Sequence, residues 1–309
     1  METAVPTDKR TLWLKALRAP FLTASFIPLG VGASVAFLHL GSLDLFLLLL
    51  TVVGGASIHL ATNMFNDYFD FKSGNDLAVT HQNPFAGGGR VLTTGIISPR
   101  AHFLVAFGFL SVGSLIGIYL FLLRGYLLLL IGLIGVVSLY SYVGPPLRLA
   151  YHGVGEFVVG LNFGPIIVLG TYVVQTGGID LTALMASIPI GLLVTAILWI
   201  NEFPDLEADL SVGKRTMMAR LGRKPSVKVY EALLASAYLV VVGSVLIELL
   251  PLASLLVLLS LPIAVKAAGH LRTHYEDPHA MIPANALTVL LLPVFGLLQI
   301  AAIFAAALI

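Results

Sequence analysis

The chain has no cysteine, which excludes disulfides, thiolate nucleophiles and Cys-ligated metal centres together. It is nearly as poor in charge, with Asp, Glu, Lys and Arg making up 11% of its 309 residues, against roughly 25% in soluble domains. So few charges cannot cover a water-exposed globular surface, and a soluble domain is excluded. The formal net charge of +1 leaves no case for a nucleic-acid partner. Long Pro-rich or Ser-rich linkers are also missing, so residues 1–309 read as a single domain. What the chain has in excess is apolar character: 58% of its residues are hydrophobic and its mean hydropathy is +0.97.

Windows of about 20 apolar residues, enough to cross a bilayer, recur at 20–39, 43–66, 101–121, 125–144, 154–175, 182–203, 229–248, 250–270 and 284–307. The expected fold is all-α, a multi-pass membrane protein of about nine helices embedded in the lipid bilayer of a cell membrane. The seventh and eighth windows are divided only by Glu248 and Pro251. Lys9, Arg10, Lys15 and Arg18 precede the first span, Lys72, Arg90 and Arg100 follow the second, and Arg148 follows the fourth. Lys214, Arg215, Arg220, Arg223, Lys224 and Lys228 follow the sixth, and Lys266 and Arg272 lie near the end of the eighth, leaving Arg124 on the opposite side. Positive loops stay cytoplasmic, so the N-terminus is expected inside and the C-terminus outside. The first span is as long as a full crossing and lacks a small-residue cleavage site, so it is expected to remain in the mature protein.

Two polar segments interrupt this apolar background: residues 63–70 (NMFNDYFD) and 201–209 (NEFPDLEAD), each at the cytoplasmic end of an even-numbered span. Their recurrence four helices apart suggests an internal pseudo-repeat, with helices 1–4 at about 20–144, helices 5–8 at about 154–270, and a closing helix 9 at about 284–307. On a helix Asn63, Asp67 and Asp70 share a face, as do Asn201, Asp205 and Asp209. Ionisable groups near the hydrocarbon layer need a partner, water or a metal. Two facing carboxylate stripes repel unless cations intervene, and hard oxygen ligands suit Mg2+, which binds through a few carboxylates together with substrate phosphates. Such a pattern describes a diphosphate site. Ordinary solvated helix-end carboxylates would not come as two matching sets. A cation-coupled transporter also uses duplicated halves, but its acids belong near the bilayer midplane. A non-catalytic quinone-binding or scaffolding protein has no use for two complete acidic motifs.

The residues resemble the UbiA-type intramembrane aromatic prenyltransferases, whose hallmark is two Asp-rich motifs at the cytoplasmic ends of helices 2 and 6. The likeness rests on NDYFD at 66–70, GGGRVL at 87–92 and the run from Asn201 to Thr216 ending in GKRT. A further block, GPPLRLAYHG at 144–153, Gly155 and Glu156, FGP at 163–165, GTY at 170–172 and QTG at 175–177, is similar to the branch acting on 1,4-dihydroxy-2-naphthoate. One departure is that Asp70 is followed by Lys72, Ser73 and Gly74 before the next acid, Asp76. The order expected for the first motif is therefore Asp67, then Asp70, then Asp76.

This resemblance implies a UbiA-type bundle and a Mg2+-dependent transfer of a polyprenyl group from an allylic polyprenyl diphosphate to an aromatic acceptor. With 1,4-dihydroxy-2-naphthoate the attacked carbon loses carbon dioxide, giving demethylmenaquinone and diphosphate. Acceptors such as 4-hydroxybenzoate, homogentisate, a glycerol phosphate lipid or haem stay open, with the third block favouring naphthoate. Asp67, Asp70, Asp205 and Asp209 are the expected catalytic and metal-binding acids, joined at the metal by Asp76, Asn63 and Asn201. Arg90, Arg148 and Lys214 are expected on the diphosphate, and Tyr140 and Tyr142 around the cation-bearing cavity. Gly87, Gly88 and Gly89 would let backbone N–H groups approach an anion. Glu156, Glu202 and Glu207 are supporting candidates, the Arg220 to Lys228 cluster is topogenic, and His59 is structural. Gly30, Gly32, Gly54 and Gly55 are read as close-packing positions, and the prolines at 145–146 as the stop of helix 4.

Overall fold

The computed structural model describes residues 9–78 and 91–309. Among these, nine helices are long and apolar enough to cross a membrane: Thr23–Leu40, Leu45–Ser73, Pro99–Arg124, Tyr126–Val143, Gly155–Thr176, Leu181–Ser211, Arg223–Leu246, Leu252–His274 and Ile282–Ala307. They are numbered here as spans 1 to 9. A short helix, Lys9–Leu17, precedes them. The seventh and eighth spans are separate, broken where Glu248 takes a positive φ of 61° ahead of Pro251.

Spans 2 and 6 are the longest, at 29 and 31 residues. At 1.5 Å per residue they run about 44 and 47 Å, well beyond the roughly 30 Å hydrocarbon core. The hydropathy windows end at 66 and 203 because the sequence turns polar there. The helices continue to Ser73 and Ser211, since near the interface helical hydrogen bonds still satisfy the backbone while polar side chains reach water or a cavity. Both helices start on an aspartate cap. Asp44 accepts from the Leu47 N–H at 3.0 Å and Asp180 from the Thr182 N–H at 2.7 Å. Span 2 ends at Gly74, whose φ of 83° suits a residue without Cβ.

The main core joins spans 1, 6, 7 and 9 through residues such as Val31, Val35, Ile190, Ile200, Leu234, Val241, Leu291 and Phe295. Span 6 is its axis, with 67% of its most apolar window buried. Spans 5 and 6 meet backbone to backbone: a Cβ on Gly191 would lie 2.5 Å from the Gly160 carbonyl oxygen, and one on Gly164 would lie 2.7 Å from that of Ser187. Small residues permit such approach where lipid offers no competing hydrophobic drive. Of the glycines expected to pack closely, Gly32 does so most tightly, its Cβ position 2.5 Å from the Val168 carbonyl oxygen, whereas Gly55 has ordinary contact with Leu29 at 3.6 Å. Span 4 ends at Val143, followed by Gly144 and a cis Pro145–Pro146 bond. Span 3 is only 17% buried and presents Leu104, Leu115 and Leu122 outward, as a lipid-facing helix does.

Candidate functional site

The extended ends of spans 2 and 6 face one another across a cavity of about 220 Å³. Span 2 supplies Asn63, Asn66 and Asp70 to its wall, and the next turn supplies Asn75 and Asp76. Span 6 supplies Asn201, Glu202, Asp205 and Asp209, and the loop beyond it supplies Lys214. Deeper in, the wall turns apolar, with Val159, Phe163, Val194, Ile197, Leu198, Val289 and Leu292. The cavity therefore has an acidic, amide-rich mouth and a greasy floor.

Nine expected residues thus line one space: Asn63, Asp70, Asp76, Tyr142, Asn201, Asp205, Asp209 and Lys214, with the supporting candidate Glu202. Asp67 is 1% exposed, is absent from the cavity wall and is ion-paired with the Arg18 guanidinium, which does line the cavity. Tyr140 is 47% exposed and sets its edge against Phe69, with ring centroids 6.1 Å apart. It diverges from Tyr142 because residues two apart on a helix point to different sides. Arg148 is exposed, with its guanidinium 5.7 Å from the Tyr151 ring centroid. Arg90 and the three glycines before it lie outside the described residues.

The carboxylates are held unequally. Asp209 Oδ1 receives Lys214 Nζ at 3.2 Å and Asn75 Nδ2 at 3.1 Å, which ties the turn after span 2 to the end of span 6. Burial alone would push the Lys214 ammonium down, but Asp209 and Asp70, with Tyr142 and Glu202, hold it well above the ordinary lysine range. Lys214 is aimed by a pinned loop. The Glu156 carboxylate accepts from the Met217 N–H at 2.5 Å, Thr216 caps the following helical turn, and the Arg215 N–H donates to the Tyr151 carbonyl at 3.3 Å.

Several contributors escaped the sequence reading. Arg18 looked like one more positive-inside residue. Asn66 is the missing step of the stripe Asn63, Asn66, Asp70, whose three-and-four spacing was available to find it. Asn285, from span 9, was not singled out at all. Pro204 has no N–H to give the Ile200 carbonyl four residues back, and Asn285 Nδ2 approaches that oxygen at 3.4 Å while donating to Asn201 Oδ1 at 2.8 Å. One buried amide thus patches the proline gap and fixes the Asn201 side chain. His59, expected to be structural, bonds Ser25 Oγ at 2.6 Å and meets Phe163 edge-on, and it also forms part of the cavity wall.

Among the described residues no three Asp, Glu or His side chains converge closely enough to hold a metal ion alone. The donor set nevertheless fits Mg2+, a hard cation that takes one or two carboxylates and completes its shell with water and substrate phosphate. Asp70 Oδ1 is buried without a hydrogen-bond partner, the condition of an oxygen made for a cation.

Comparison with known proteins agrees with this architecture. The description of the UbiA prenyltransferase family matches residues 25–289. The chain is 34% identical to the 1,4-dihydroxy-2-naphthoate octaprenyltransferase of Bacillus subtilis (strain 168), over 93% of this chain and 90% of that one. It is 30% identical to the 2-carboxy-1,4-naphthoquinone phytyltransferase of Synechocystis, covering 91% and 89% of the two chains. Its fold is similar to that of a UbiA homolog from Archaeoglobus fulgidus solved with GPP and Mg2+, with a TM-score of 0.65 at 16% identity over 94% of this chain and 99% of that one. A UbiA homolog from Aeropyrum pernix K1 is equally similar, with a TM-score of 0.65 at 19% identity over 92% and 98% of the two chains. With nine helices among its described residues long and apolar enough to cross a membrane and a family match across most of its length, this chain belongs to the UbiA prenyltransferase family of multi-pass membrane enzymes.

Proposed function

We propose that this protein transfers a polyprenyl group from an allylic polyprenyl diphosphate to 1,4-dihydroxy-2-naphthoate, releasing carbon dioxide and diphosphate and forming the quinol form of demethylmenaquinone. The observation that carries the reading is the single cavity in which acids and amides of both motifs face one another above an apolar floor. The naphthoate-acting relatives, matched over about the full length of both chains, support the choice of acceptor. The concentration of Lys and Arg at the cavity end supports a cytoplasmic N-terminus and cytoplasmic entry of the diphosphate.

In this reading Asp70, Asp76, Asp205 and Asp209, with Asn63 and Asn201, would hold Mg2+, while Lys214 would bind a diphosphate oxygen. Bound there, Mg2+ would supply Lewis-acid neutralisation of the departing diphosphate, worth several kcal/mol in a dry site. Bond cleavage between the allylic carbon and the diphosphate oxygen sends the electron pair to the leaving group. Phe163, Val159 and Val194 exclude water from the allylic cation, which water would otherwise quench. The electron-rich ring carbon bearing the carboxylate attacks this cation, and its bond to the carboxylate then breaks, restoring aromaticity and releasing carbon dioxide without any proton donor. Asn285 keeps Asn201 oriented throughout.

The test is prenyl transfer by the purified protein in detergent with Mg2+, mixed polyprenyl diphosphates and a panel of aromatic acceptors. Product with 1,4-dihydroxy-2-naphthoate that disappears on chelation supports the reading. Product only with another acceptor replaces the acceptor, and absence of Mg2+-dependent product with every acceptor overturns it.

A further inference from the structure

Arg18 stands at an unusual point of the chain. It joins the helix Lys9–Leu17 to the turn that opens span 1, and its backbone is left-handed, at φ 48° and ψ 41°. A non-glycine residue in that conformation carries a local cost and persists where its surroundings require it. Here the kink delivers the side chain to the cavity wall, where Nη2 donates to Asp67 Oδ1 across 49 residues of sequence. The contact is well shielded, with the two side chains 16% and 2% exposed. The Arg18 Nε is buried and bonded to nothing, so the guanidinium has donor capacity that Asp67 does not use.

A cation seated on a motif carboxylate competes with any metal for that carboxylate. It is also the group best shaped to bind a phosphate in bidentate fashion. We propose that Arg18 is a further diphosphate-binding residue that rests on Asp67 as its counter-ion and exchanges onto the diphosphate when substrate and Mg2+ arrive, releasing Asp67 to the metal. This rests on the prenyl-transfer reading for the identity of the anion. Asp67 then joins Asp70 only in the loaded enzyme, so the full acidic complement is exposed when its countercharges are present. The exchange adds no net charge to the cavity before substrate binds.

The exchange makes predictions of opposite sign. Mn2+ alone, followed by its electron paramagnetic resonance signal, should bind Arg18→Gln about tenfold more tightly than the parent, because Asp67 no longer carries the competing guanidinium. Inorganic pyrophosphate with Mg2+, followed by calorimetry, should bind the same variant about tenfold more weakly. Asp67→Asn releases Arg18 and should bind pyrophosphate in EDTA more tightly than the parent; it carries the test should Arg18→Gln not fold. Lys15→Gln removes one exposed charge from the same N-terminal helix and should change neither affinity by more than about twofold. If Arg18→Gln weakens both ligands together or leaves both unchanged, or if Asp67→Asn gains no pyrophosphate affinity, the exchange is overturned while prenyl transfer stands. A parent that binds neither metal nor pyrophosphate overturns both.

Discussion

The two acidic motifs carry similar residues on similar helices, yet they are neutralised by different means. At the end of span 6, Asp209 is met by Lys214 five residues later, and the loop carrying that lysine is secured by Glu156 and Thr216. At the end of span 2, Asp67 is met by Arg18 from the opening turn of the membrane domain, 49 residues earlier. The countercharge of one motif is local and built into a capped loop. That of the other is remote and depends on how the N-terminal arm seats. The charge pair of the second motif therefore closes within one helix and its loop, which span 5 then secures through Glu156, whereas the first pair joins span 2 to the segment ahead of span 1.

Losing an acid that faces the cavity should abolish this difference altogether. Asp70→Asn and Asp205→Asn are each expected to lower kcat by about 10³-fold with Mg2+ saturating, since in the proposed reaction each removes charge where the leaving group would depart. Steady-state prenyl transfer checks this. A residual rate within tenfold of the parent for either variant would mean that its motif is not part of the chemistry.

The next largest effect should sharpen the contrast. Lys214→Met is expected to raise KM for the polyprenyl diphosphate by about 10- to 100-fold, because a buried carboxylate loses its partner and the diphosphate loses a cation. The pH profile provides a second check. The Lys214 pKa is raised in the folded protein, so its stabilising contribution is complete below the ordinary lysine value of about 10.4 and is lost only as pH rises through the higher folded value. Between neutral pH and about 10 the parent should therefore show no inflection that disappears in Lys214→Met.

Hydropathy and spacing made much of this legible in advance. Nine apolar windows and two polar stripes suffice for the span count among the described residues and for Asn63, Asp70, Asn201, Asp205 and Asp209 of the cavity wall. What stayed hidden has physical reasons. Arg18 obeys the positive-inside pattern, and a residue that satisfies one rule gives no sign that it also satisfies another. Its pairing with Asp67 is a long-range contact that no local period encodes. Asn285 is one amide within the apolar run of span 9, and its use depends on a proline gap in a different helix. The ends of spans 2 and 6 were placed short because the polarity that ends an apolar window is the same polarity that serves the cavity.

Packing also differs between regions, being closest at the seam of spans 5 and 6. Gly164→Val should destabilise the protein by about 2 kcal/mol or more, since its Cβ would sit 2.7 Å from the Ser187 carbonyl oxygen. Gly55→Ala, whose Cβ meets only Leu29 at 3.6 Å, should stay within about 0.5 kcal/mol. Thermal unfolding in one detergent compares them, and equal Tm values would show that the seam is not tight.

The smallest effects should come from the two tyrosines. Tyr142→Phe removes a hydroxyl from the cavity wall and is expected to cost about threefold to tenfold in kcat/KM. Tyr140→Phe, on the exposed side of the same helix, should lie within about twofold of the parent. Equal losses from both would argue against the cavity as the reacting space.

The overshoot of spans 2 and 6 beyond the hydrocarbon layer also governs how an oily substrate meets this protein. Asp67 lies about 33 Å along its helix from Leu45, a little more than the roughly 30 Å hydrocarbon core, which would set the acidic turns at headgroup depth and the apolar floor beneath them level with lipid chains. An amphiphile with a charged head and a long tail already floats at that depth, its head in register with the acids before contact. Its approach is then a search in two dimensions at fixed height. Encounter frequency follows the amphiphile's surface density in the membrane and its sideways mobility, so a stiffer bilayer should slow capture even when every residue of the cavity is unchanged.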